Sequence, residues 1–127
     1  MSGAFVQIVL LGAVLVCVLD TALSVISLQT QIPYASFIPL SVLLVCIFGF
    51  ITARRCGLLF APLCGAILGV TDSTIGWAIS WNIEGGQTDV QLSPFEIGTT
   101  IATVVTMDSI FGLIGGLVSK LFTPQSR

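Results

Sequence analysis

Four long apolar stretches, at residues 4–28, 38–53, 58–81 and 97–122, are separated by short segments where proline and polar side chains collect. About 20 predominantly apolar residues, rising 1.5 Å each as a helix, cross the hydrocarbon core of a bilayer. Three of the stretches are long enough as they stand. The second becomes so if its helix starts near Tyr34 or Ser36. The pattern predicts an all-α integral membrane protein, a single domain of four transmembrane helices at about 4–28, 36–53, 58–81 and 96–122. Short links between consecutive spans make these an antiparallel bundle.

Proline punctuates this scheme. Pro33 and Pro39 bracket the entry to the second span, Pro94 precedes the fourth and Pro124 follows it. Pro62 falls in the first turn of the third span, where its missing N–H costs little, unless that helix starts near Arg55, when it would produce a kink. The first stretch has neither the basic leading segment nor the A-x-A-like cleavage site of a signal peptide, and Val16 before Cys17 spoils a lipoprotein-type site. It is expected to be retained.

Charge sets the orientation. Arg54 and Arg55 occupy the link between spans two and three, and Lys120 and Arg127 follow span four. With four crossings both places lie on one side, which the positive-inside rule makes cytoplasmic, giving an N-in/C-in arrangement. The opposite side carries Glu84, Asp89 and Glu96, read as a solvated loop, and Trp77, Trp81 and Tyr34, read as an aromatic interfacial rim. The expected location is the cytoplasmic membrane of a prokaryote, with the lipid bilayer as first partner.

The spans also resemble one another. Gly12-Ala13-Val14-Leu15 matches Gly65-Ala66-Ile67-Leu68, and an I-F-G-x-I string occurs at 47–51 and 110–114. Two tandem helical hairpins produce this pattern, as do chance matches among segments built from few residue types.

Composition narrows the chemistry. Hydrophobic residues make up 55% of the 127 positions and charged residues 8%, about a third of the usual share for a soluble domain. The four basic residues form no stripe that would follow a phosphate backbone, so nucleic acid is not an expected partner. Histidine is absent, which removes the commonest general base and metal ligand. Cys17, Cys46, Cys56 and Cys64 have no metal-binding spacing and read as small buried hydrophobes. No metal and no cofactor is expected.

The informative residues are Asp20, Asp72 and Asp108, each well inside a span, where a charge is costly and marks function or specific packing. Asp20 and Asp72 lie roughly 24 Å from the inner start of their spans, and Asp108 roughly 16 Å from the outer start of its own. Asp72 shares a helical face with Gly65, Gly69 and Gly76, and Asp108 shares one with Gly112, Gly115 and, nearly, Gly116. Asp20 shares a face with Ala13, Cys17, Ser24 and Ser27. Ala61, Gly65, Gly69 and Ser73 form a small-xxx-small series, as do Gly112 and Gly116, at which membrane helices approach closely. The aspartates are therefore expected to face protein. Thr71, Ser73, Thr74 and Ser109 are expected hydrogen-bonding partners for them, either across helices or as caps of a helix broken at 71–74.

Two functional classes follow. Either the aspartates handle protons or cations, with an oligomer formed through the glycine stripes, or the chain is a non-catalytic accessory subunit of a larger membrane complex whose aspartates only lock helices together. A paired-aspartate enzyme lacks any surrounding signature, so no enzymatic activity is expected.

Overall fold

The computed structural model describes residues 3–83 and 93–122. Helix α1 covers Gly3–Thr30, and its last turn is closed by hydroxyls: Thr30 donates to the Ile26 carbonyl (2.7 Å) and Ser27 to that of Ile32 (2.8 Å). Gln31 takes a left-handed conformation (φ 57°) that ends the helix, and Pro33 prevents its resumption. One 3₁₀ turn, Tyr34–Phe37, leads into α2, Ile38–Cys56, which carries Pro39 in its opening turn. Gly57, at φ 103°, turns the chain after α2.

The third span is one continuous helical path of three parts: α3 (Phe60–Thr71), a π-helical turn (Asp72–Gly76) and α4 (Trp77–Ile83). Pro62 lies in its opening turn. The fourth, α5, covers Pro94–Leu121. It starts with a capping box, in which the Ser93 hydroxyl accepts from the Glu96 amide (3.3 Å) and the Glu96 carboxylate accepts from the Ser93 amide (2.8 Å). Glu96 is thus part of the helix start and not of a loop. Glu84, Asp89 and Arg127 lie outside the described residues.

All four paths, Gly3–Thr30, Tyr34–Cys56, Phe60–Ile83 and Pro94–Leu121, are long and apolar enough to cross a membrane. Burial is distributed as lipid requires. Large apolar side chains face outward along α1, where Leu10, Leu11, Val14 and Val18 are each more than half exposed. Asp20, Ser24, Thr52, Ser73, Ser80, Asp108 and Ser119 are buried. In water this would be an inside-out protein; in a bilayer it is the low-energy arrangement.

Helix α5 packs most closely against α3 and α2, and α1 packs against α2 and all parts of the third span. Among the described residues α1 does not meet α5. Near the start of α1 an apolar core gathers Phe5, Ile8, Val16, Val45, Phe48, Cys64 and Leu68, with Phe5 against Phe60 at 5.3 Å between ring centres. At the far ends of α2 and α5, the Arg54 guanidinium donates to the Phe122 carbonyl (3.1 Å) and lies over the Phe50 ring.

Glycine decides how closely these helices approach. At Gly49, Gly65 and Gly115 a methyl group would overlap a backbone carbonyl oxygen, that of Gly112, Asp108 and Cys46 respectively. At Gly112 it would stand 2.6 Å from the Ala61 carbonyl, and at Gly116 2.7 Å from the Ala61 side chain. Gly65, Gly112, Gly115 and Gly116 are therefore occupied within the chain. This corrects the expectation that the glycine stripes form a contact between copies.

Candidate functional site: a carboxylate-lined cavity

The π-helical turn is the local feature from which the site is built. A π turn inserts one extra residue into a helix, widens it and shifts the direction of the following side chains. It begins at Asp72 and ends at Gly76, directly after the regular α3.

The surrounding hydroxyls serve the helix itself. Thr71, Ser73 and Thr74 donate to the carbonyls of Ile67 (3.0 Å), Gly69 (2.7 Å) and Val70 (2.5 Å). The expectation that they bond an aspartate across helices, or cap a broken helix, is thereby corrected. With no other acceptor at hand, a hydroxyl in an apolar helix bonds back to the carbonyl about one turn earlier. Ser109 does cross between helices, but its partner is the Pro62 carbonyl (3.0 Å) and not a carboxylate.

The aspartates gather. Asp20, on α1, is 1% exposed, and its Oδ1 accepts a hydrogen bond from the Tyr34 hydroxyl at 2.7 Å. The other oxygen, Oδ2, is buried with no N–H or hydroxyl donor to it, and the polar group it meets is the Asp72 carboxyl. It lies against Gly76: a methyl group there would overlap Asp20 Oδ2 and stand 3.3 Å from Asp72 Oδ1. Gly76 is thus the gap through which the two carboxylates face each other. One turn further along, Ser24 and Ser80 share a hydrogen bond of 2.8 Å that fixes α1 against α4.

Asp108 reaches the same region from α5. It is 9% exposed, its backbone lies on Gly65, and its Cβ and Oδ2 would each stand 3.0 Å from a methyl group at Gly69. Asp72 and Asp108 line one cavity of about 370 Å³, bounded by α2, the third span and α5. Tyr34, Ser41, Trp77, Met107 and Phe111 are among the other residues of its wall. Ala61, Gly112, Gly115 and Gly116 lie away from this cavity and set the helix spacing beneath it.

Against apolar surroundings two close carboxylates cannot both remain bare: a proton or another cation must stand between or beside them. The described basic side chains offer none. Arg54, Arg55 and Lys120 are exposed, and Lys120 is about 18 Å along α5 from Asp108. Among the described residues no three cysteine, aspartate or glutamate side chains converge as a metal-binding group.

No family model matches the chain, and neither a curated protein nor a solved structure is significantly similar to it. The site has to be read from its own geometry.

Two of its parts were not read from the sequence. Tyr34 was expected in the interfacial rim, yet its half-buried ring hands its hydroxyl to Asp20. The only advance signal is its place just after a link too short to carry it away from α1. Gly49 was also missed, although Gly49 and Ala53 form a small-xxx-small pair like those recognised elsewhere.

A second, larger groove of about 860 Å³ runs along the outer face of α1, lined by Leu10, Val14, Val18, Val25 and Ile75. Its lining is almost wholly apolar, which suits lipid chains, and it holds none of the three aspartates.

Proposed function

We propose that this chain is a small polytopic membrane protein that moves protons or cations through its intramembrane aspartates, without enzymatic activity. The observation that carries the reading is the buried Oδ2 of Asp20, which faces the Asp72 carboxyl across Gly76 and has no other donor, beside a cavity that Asp72 shares with Asp108. Buried polar atoms without partners are rare and costly unless their vacancy is used. A carboxyl that loses or gains a proton as a cation arrives uses it.

In this reading the helices form an antiparallel bundle with both ends in the cytoplasm of a prokaryotic cell, the basic residues inside and the cavity towards the outer half. The matching Gly12 and Gly65 strings make two tandem hairpins. Tyr34 orients Asp20 and stabilises its ionised form by donating a hydrogen bond. Among the described residues, Cys17 on α1 and Cys46 on α2 are titratable groups near the aspartates. The working unit is a homo-oligomer or part of a larger membrane complex, using faces other than the glycine stripes.

Proteoliposomes carrying a pH-sensitive dye for protons, or a membrane-potential dye for sodium and potassium, test this. Under an imposed proton, sodium or potassium gradient the wild type should move charge well above protein-free vesicles. Gly76→Ala should slow it about tenfold, because the new methyl displaces the Asp20 carboxylate, a flexible group that can yield without unfolding the helix. Wild-type vesicles that match protein-free vesicles under all three gradients would remove the proposal.

A further inference from the structure

We infer that the cavity between α2, the third span and α5 binds a small organic cation, an ammonium group on an apolar body, with Asp72 and Asp108 as its counter-charges. The inference rests on the reading that these carboxylates meet a cation, and it names the class.

The wall argues against a bare metal ion. A hard cation stripped of its water needs about six oxygen ligands, and transition metals need converging side chains. This cavity offers two carboxylates and a few hydroxyls, and most of the rest of its lining is apolar. Among the described residues no group of three such side chains is arranged to hold a metal ion.

The same wall suits an ammonium bearing hydrocarbon. Tyr34, Trp77 and Phe111 present aromatic rings, whose faces attract cations, and Met107 adds a polarisable thioether. A volume of about 370 Å³ lies in the range of small-molecule sites, whereas a proton needs no volume at all.

Asp20 supplies the independent observation. Its Oδ2 is buried, receives no N–H or hydroxyl donor and lies against Gly76, which itself lines the cavity. A third carboxylate thus stands directly behind a wall that has no side chain to screen it. The potential inside the cavity favours positive charge over a neutral molecule of the same shape.

Trp77 makes the test direct. In a Trp81→Phe background it is the sole tryptophan. The full chain in mild detergent is titrated with benzyltrimethylammonium and, separately, with neopentylbenzene, its neutral carbon isostere, following Trp77 fluorescence. Saturable quenching by the cation, about tenfold weaker for the isostere and about tenfold weaker for the cation in Asp108→Asn, is the expected result. Equal affinity for cation and isostere, or no saturable quenching, would overturn the inference. If Asp108→Asn loses its helical signal, the cation–isostere comparison decides alone. Binding without vesicle flux would keep this site and remove the transport reading; proton flux without binding would do the reverse.

Discussion

Gly65→Ala is expected to prevent a stable fold. The added methyl would overlap the backbone carbonyl oxygen of Asp108, and backbone cannot rotate aside as a side chain can. The two helices would have to separate, and α3 and α5 form one of the most closely packed pairs in the molecule. Overpacking of this kind costs about 1–3 kcal/mol even where side chains can adjust. Here they cannot, while total stability is only about 5–15 kcal/mol. Circular dichroism melting in detergent should show a midpoint lowered by ten degrees or more, or no monodisperse protein, by an order-of-magnitude estimate of about 4–8 °C per kcal/mol. Gly98→Ala is the control. Nothing lies within 4 Å of a methyl group there, so its midpoint should stay near wild type.

Asp72→Asn is expected to abolish flux and leave the fold intact. The amide keeps the size and the hydrogen-bonding capacity of the carboxyl but can neither carry a charge nor exchange a proton. Asp72 is the member of the cluster that belongs to both halves of the site, facing Asp20 across Gly76 and lining the cavity with Asp108. Its loss should therefore bring vesicle flux to the protein-free level. Asp108→Asn removes a counter-charge without touching the Asp20–Asp72 pair, and should leave a measurable remainder. An Asp72→Asn protein that folds and conducts like wild type would reduce the cluster to helix packing.

The architecture was legible because its signal is composition over long windows. Four runs of apolar residues can hide nowhere but in lipid, and the sequence carries that information redundantly. The aspartates were legible for the same reason, as isolated charges in apolar text. On their small-residue faces, Gly65, Gly112 and Gly115 are positions where a methyl group would overlap the facing helix.

What stayed hidden depends on pairing. Thr71, Ser73 and Thr74 look the same in a sequence whether they bond their own helix or a neighbour, and only the folded chain shows that each returns to its own backbone. The glycine stripes looked equally suited to contacts within and between chains until their partners were known. Tyr34 has two roles open to an amphipathic ring at a helix end, and only the return of the chain after Pro33 selects the one at Asp20.

Difference infrared spectroscopy of the reconstituted protein tests the central claim most directly, because the carbonyl stretch of a protonated carboxyl is absent from a carboxylate. Raising the pH, or adding a cation at constant pH, should bleach that band in the wild type, with a smaller change in Asp72→Asn. A carboxyl band indifferent to both treatments would mean that the aspartates are sealed by packing, and would contradict a site that exchanges protons or cations.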